Sequence, residues 1–141
     1  MEVGEIMRRK IHTVTPRSSI RFAAKKMSRY HIGSLLVVSS DVEVQGIITE
    51  TEIVKAFGDG KNPKTDVRDI IHKKVATVRV HDTLETAAKI MSKNKIKWLP
   101  VVEKKRCVGI VTATDLIKYE EHLLDRLAVL FLLPQKTTQG G

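Results

Sequence analysis

Gly46-Ile47-Ile48-Thr49-Glu50-Thr51-Glu52 and Gly109-Ile110-Val111-Thr112-Ala113-Thr114-Asp115 are one seven-residue frame written twice. In each, a glycine precedes branched apolar residues suited to a short strand, and a threonine then leads toward helix-forming residues with an acid in seventh place. Laid over itself with a shift of 64 positions, the chain puts Val3 on Val67, Ile6 on Ile70, Thr13 on Thr77 and Val14 on Val78. Ala23, Ala24, Lys25, Met27 and Ser28 fall on Ala87, Ala88, Lys89, Met91 and Ser92, and Ile32, Leu35, Val37 and Val38 on Ile96, Leu99, Val101 and Val102. One residue is lost in a turn, and at a shift of 63 the two frames coincide, with Lys55 meeting Lys118. Self-similarity over such a length means one supersecondary unit made twice, and paired units bury a face that neither buries alone.

Within each repeat the local signals agree. Ile20, Ala23, Ala24 and Met27, like Leu84, Ala87, Ala88 and Met91, recur at helical spacing and mark one apolar stripe. Asp82 with Glu85 reads as a capping box, which starts the second of these helices near Thr83. Ser34 to Val38 and Trp98 to Val102 are short and rich in branched residues; each is followed by a polar turn and a second strand ending at Thr49 or Thr112. Another helix follows, stopped in repeat one by Gly58 and Gly60 ahead of Pro63. The unit therefore reads β-α-β-β-α, an α/β (α+β) class fold. Residues 1–60 make repeat one, 61–64 a linker, 65–122 repeat two, and 123–141 a C-terminal helix extension and tail. In that extension Leu123, Leu124, Leu127, Leu130 and Phe131 share a face suited to packing on a parent domain or sister subunit, and Lys136 to Gly141 reads as a frayed end.

Composition bounds the rest. At 141 residues the chain accommodates one ordinary domain or two half-sized units, and its 42% hydrophobic and 29% charged residues are those of a folded globular protein. No charged start precedes an apolar stretch, and the longest apolar run, Leu127 to Leu133, falls short of a membrane span, so a cytoplasmic address is expected. The single cysteine, Cys107, suits a reducing compartment and a place inside a strand. A net charge of +9 points to anionic partners without saying which.

The closing frame of repeat two, with Trp98-Leu-Pro-Val-Val102 upstream and Ala76-Thr-Val78 at its start, resembles the CBS-domain signature. Repeat one shows it again as Thr13-Val-Thr-Pro16, Ile32-Gly-Ser-Leu35 and Gly46 to Glu52. Together these cover about residues 1 to 120. The resemblance implies a stand-alone CBS pair, or Bateman module, whose repeats pack sheet to sheet with pseudo-two-fold symmetry and leave two clefts. It also implies a regulatory rather than catalytic role, an adenine nucleotide (AMP, ADP or ATP) or S-adenosylmethionine as ligand, and a homodimer, head to head or head to tail, that signals to a regulated protein.

Chemistry gives the resemblance a reason. A carboxylate opening a helix accepts hydrogen bonds from both ribose hydroxyls, and threonine hydroxyls beside it suit phosphate. By the family pattern one cleft uses Asp115, Thr112, Thr114 and Ile110 with Lys97, Trp98, His12, Ile32, Gly33 and Ser34. A second, weaker cleft uses Thr49, Thr51, Glu52 and Ile47 with Ala76 and Ile96; here Glu52 replaces the usual aspartate and Thr51 the arginine that often precedes it. Plainer readings stand beside these. Asp115 and Glu52 can serve a helix dipole, Thr49 and Thr112 can cap, Trp98 can belong to core or interface, and Lys97 can be a solvated charge.

No phosphate loop, HExxH, GxSxG or paired CxxC occurs, and His12, His31, His72, His81 and His122 lack ligand spacing, so neither metal nor enzyme is expected. A basic nucleic-acid module is the alternative, on Arg8, Arg9, Lys10, Lys25, Lys26, Arg29, Lys104, Lys105 and Arg106, though six aromatics offer little stacking platform. A purely structural dimerisation module is a third.

Overall fold

Ser19 and Thr83 open the two longest helices, and each does so with its own hydroxyl. Ser19 Oγ accepts the Phe22 N–H at 3.0 Å and Thr83 Oγ1 the Thr86 N–H at 3.1 Å, satisfying backbone donors that a first helical turn leaves unpaired. The expected Asp82 box is therefore corrected: helix 84–94 is capped by Thr83, and Asp82 Oδ2 instead accepts the Arg79 N–H at 2.8 Å in the preceding turn.

The computed structural model describes residues 1–119 and 124–131. Its elements run α1 (Val3–Ile6), β1 (Thr13–Val14), α2 (Ile20–Tyr30), β2 (Ser34–Val38), β3 (Val44–Thr49), α3 (Glu50–Gly58), a 3-10 turn (Val67–Asp69), β4 (Val78–Arg79), α4 (Leu84–Asn94), β5 (Trp98–Glu103), β6 (Arg106–Thr112), α5 (Ala113–Tyr119) and α6 (Leu124–Phe131). The β-α-β-β-α order appears twice, as the periodicity predicts. The sheets are β1-β2-β3 and β4-β5-β6, with β1 parallel to β2 and β4 parallel to β5. In both, a helix makes the crossover that parallel strands need.

The chain divides into two compact bodies. The first holds His12–Val75 with Lys105–Cys107, and its core includes Val14, Ala23, Met27, Leu35, Val37 and Ile48. The second holds Met1–Ile11, Ala76–Lys104 and the chain from Val108, and its core includes Val78, Leu84, Met91, Leu99, Val111 and Leu116. The sequence repeat and the compact body are thus different partitions: the opening residues of each repeat belong to the body built on the other.

The docking of these openings is itself repeated. In the second body the Val3 N–H donates to Asp82 O at 2.8 Å and the Gly4 N–H to Val80 O at 2.9 Å; in the first, the Val67 N–H donates to Ser18 O at 2.8 Å and the Arg68 N–H to Pro16 O at 3.1 Å. Val3 and Val67 are fully buried. A few residues on, Arg8 exchanges both backbone hydrogen bonds with Ile110, and His72 with Ile47. These bridges explain the glycine that heads each frame. A Cβ at Gly109 would lie 2.8 Å from Arg8 O, and one at Gly46 2.6 Å from His72 O.

Cys107 is buried near the start of β6, as its surroundings in sequence suggest. Of the extension's apolar residues, Leu127 and Leu130 are buried in the core of the second body, where α6 packs on α4, and Phe131 is exposed. Leu123 and Lys136 to Gly141 lie outside the described residues. Among those described, no helix is long and apolar enough to cross a membrane.

Candidate functional site

The junction of β6 and α5 exists because Thr112 ends a strand while Ala113 already has helical geometry. Asp115, three residues on, turns back to receive the Thr112 N–H at 3.2 Å on Oδ2, and Thr112 Oγ1 accepts the Asp115 N–H at 3.1 Å. This reciprocal pair is capping-box geometry. It pulls a charged group inward: Asp115 is the buried charged side chain among the described residues, 5% exposed. Its second oxygen, Oδ1, receives Arg8 Nη2 at 2.9 Å.

Burial pushes the Asp115 carboxyl up, but the Arg8 guanidinium and the Thr112 hydroxyl and N–H outweigh it and hold the group below its usual range. Arg8 is raised in turn by its bond to Asp115. Asp115 is thus an anion at neutral pH, with lone pairs on both oxygens beyond those already used.

The first body repeats this construction. Thr49 and Glu52 form a capping box at the start of α3, the Thr49 N–H meeting Glu52 Oε1 at 2.7 Å. Glu52 Oε2 lies 2.7 Å from His72 Nε2. The plainer reading of both acids as helix openers is therefore accurate as geometry, and it leaves each acid's outer oxygen facing a basic side chain.

The other residues singled out from sequence divide between the bodies. Thr112, Thr114, Ile110, Lys97, Trp98, Ala76 and Ile96 accompany Asp115 in the second; His12, Ile32, Gly33, Ser34, Thr49, Thr51 and Ile47 accompany Glu52 in the first. Thr114 and Thr51 stand exposed on the first turns of α5 and α3. Lys97 is exposed; its carbonyl receives the Ala113 N–H at 2.8 Å, and its ammonium lies 5.1 Å from the Phe131 ring centre. That cation–π contact gives the lysine a partner besides solvent. Trp98 is half-buried at the head of β5. His12 stacks on Tyr30 with ring centres 4.1 Å apart. Ser34 pairs with Thr49 across the hairpin, and Gly33 O accepts the Glu50 N–H at 3.0 Å, so these two residues brace the start of α3.

Arg8 and His72 were not among the residues expected at the acids. Arg8 reads as part of a basic run and His72 as an isolated histidine. The signal was present all the same: the shift of 64 that aligns the repeats puts Arg8 on His72, two basic residues at one register position. Among the described residues no three His, Cys, Asp or Glu side chains gather as a metal site would require. A depression of about 440 Å³ in the first body lies between α2 and α3, lined by Ala24, Met27, Ile32, Ile53 and Val54 among others, rather than at Glu52.

The family model described as CBS domain matches residues 3–59 and again residues 67–122. An uncharacterised protein of Methanopyrus kandleri is 36% identical over 127 residues, 88% of this chain and 65% of that protein. An uncharacterised 17.7 kDa protein of Acidianus ambivalens is 33% identical over 99% of this chain and 83% of its own length. Among solved structures, the CBS domain pair of protein MJ0100, in complex with 5′-methylthioadenosine and S-adenosyl-L-methionine, is 30% identical, with a TM-score of 0.70 over 86% of this chain and 97% of that one.

Proposed function

Because the chain belongs to the CBS-domain family, we propose that it is a non-catalytic regulatory module that binds an adenine nucleotide or S-adenosylmethionine and signals the ligand's presence to a partner protein. One observation carries the reading: a buried, ionised carboxylate is built at the same strand-to-helix junction in repeat two that repeat one uses for Glu52. The side chain can accept both hydroxyls of a ribose. The ligand complexes of the MJ0100 pair support the adenosyl part of this assignment. In it Asp115 accepts the sugar, Thr112 and Thr114 with Lys97 serve the phosphate or its replacement, and Ile110 and Trp98 contribute apolar surface. In the first body Glu52 heads a second, weaker site with Thr49, Thr51 and Ile47. The module works in the cytoplasm as a homodimer, and binding needs no metal.

A ligand shifts a regulatory balance only by its differential affinity for two arrangements of the protein. The same mass action raises melting temperature. At a hundredfold excess over Kd the gain is about 2.7 kcal/mol, or roughly 5–10 °C for a chain of this size. A melting panel of AMP, ADP, ATP, S-adenosylmethionine and guanine nucleotides is expected to show a shift for an adenosyl compound, lost in Asp115→Ala. No shift with any of them at millimolar concentration would overturn the proposal.

A further inference from the structure

Arg8 and His72 occupy one register position in the duplicated chain, and each reaches the outer oxygen of the acid that closes the repeated frame, at 2.9 and 2.7 Å. Two independent occurrences make the arrangement a built feature. The two groups differ in chemistry. A guanidinium is permanently charged and carries five donors in a fixed fork, whereas an imidazole is charged only when protonated and, when neutral, both donates and accepts.

We propose that this position sets what each acid accepts along with a sugar: Arg8 makes the Asp115 site select an adenosyl ligand with an anionic 5′ group, and His72 leaves the Glu52 site open to an uncharged one. The inference rests on the reading that these acids hold a ribose diol. A ribose seated on Asp115 brings its hydroxyls to the oxygens that Arg8 and Thr112 already use. It either shares Oδ1 with Arg8 or displaces it, and in both cases a long, exposed guanidinium side chain starts beside the bound sugar and can extend along it toward the 5′ group. A phosphate there gives the guanidinium a bidentate anion. A thioether gives it nothing, and a sulfonium repels it.

The arginine is placed to make that move. Its main chain is fixed by the two bonds to Ile110, each 2.8 Å, and the bare Cα of Gly109 permits that close approach. Its side chain is 61% exposed, so it can turn from carboxylate to ligand without disturbing the core. At Glu52 no permanent cation stands in the corresponding place.

The test is calorimetric titration of the full chain with AMP and with 5′-methylthioadenosine, which share adenosine and differ at the 5′ group. The wild type is expected to prefer AMP. Arg8→Gln lowers that preference about tenfold, weakening AMP while sparing or improving the thioether, and Arg8→Lys, which keeps the charge, retains most of it. Unchanged melting of the variants checks that the fold is intact. A preference that is the same in Arg8→Gln and wild type overturns this inference alone. Failure of both compounds to bind the wild type overturns the adenosyl reading and this inference with it.

Discussion

Asp115 gathers more of the chemistry than any other side chain, because one carboxylate caps a helix, holds an ion pair and is buried. Held below its ordinary pKa, it contributes stability that is present above the unfolded value, near 4, and is lost as the pH falls through the folded value. Urea melts between pH 3 and 7 should therefore show a steep acid limb that Asp115→Asn flattens. Asp115→Ala is expected to cost about 1–3 kcal/mol, since it also strips the Thr112 N–H of its acceptor. His81 runs the other way. Its hydrogen bond to Glu2, aided by that residue's charge, raises it, so its contribution is complete below the ordinary histidine value and disappears as the pH rises through the raised one. In His81→Gln the decline in stability just above the ordinary histidine value should become shallower. Thr112 and Asp115 were legible from sequence because a cap is a local contact, three residues long. Arg8 was not, since its contact spans 107 residues and no local pattern encodes that.

The strands and helices were readable for the same reason of locality. The stripes Ile20, Ala23, Met27 and Leu84, Ala87, Met91 are buried as their spacing requires. What spacing does not reveal is which neighbour a face will find. Ala24 and Ala88 are equivalent in register, yet Ala88 is fully buried while Ala24 is only partly so and lines the depression between α2 and α3. In the second body α6, which has no counterpart in repeat one, packs on α4 and adds Leu127 and Leu130 to the core. The glycine at the head of each frame, which the local pattern leaves unexplained, proves to be a docking requirement. Gly109→Ala puts a methyl group 2.6 Å from Met7 Sδ and 2.8 Å from Arg8 O; the sulfur can yield, but the carbonyl is backbone. We expect a loss of about 1–3 kcal/mol. Hydrogen exchange should rise at the Arg8 and Ile110 amides well before it rises in α4, and uniform protection throughout would contradict this.

Each body takes its opening segment from the far side of the sequence repeat, and a duplicated chain hides this choice. Val3 and Val67 are equivalent in register, as are the Asp82 and Ser18 carbonyls that accept from them, so docking on the nearer or the farther repeat makes the same backbone bonds at equivalent positions. Only the fold distinguishes them. Fragments can read the difference: residues 12–75, which include Val67 and His72, should show native-like circular dichroism and cooperative melting beyond that of residues 1–59, which lack the segment completing their core. Equal behaviour of the two would mean that the docked segments add little. The crossed connectivity also sets an order on the ribosome. The first body has nearly all its residues once Val75 has emerged, whereas residues 1–11 find no seat until β6 and α5 have been made. At about 5–20 residues per second, residues 1–11 precede the seat they dock on by roughly 5–20 seconds. Val3 and Ile6 therefore wait outside any core, open to proteases and chaperones, until the second body can receive them.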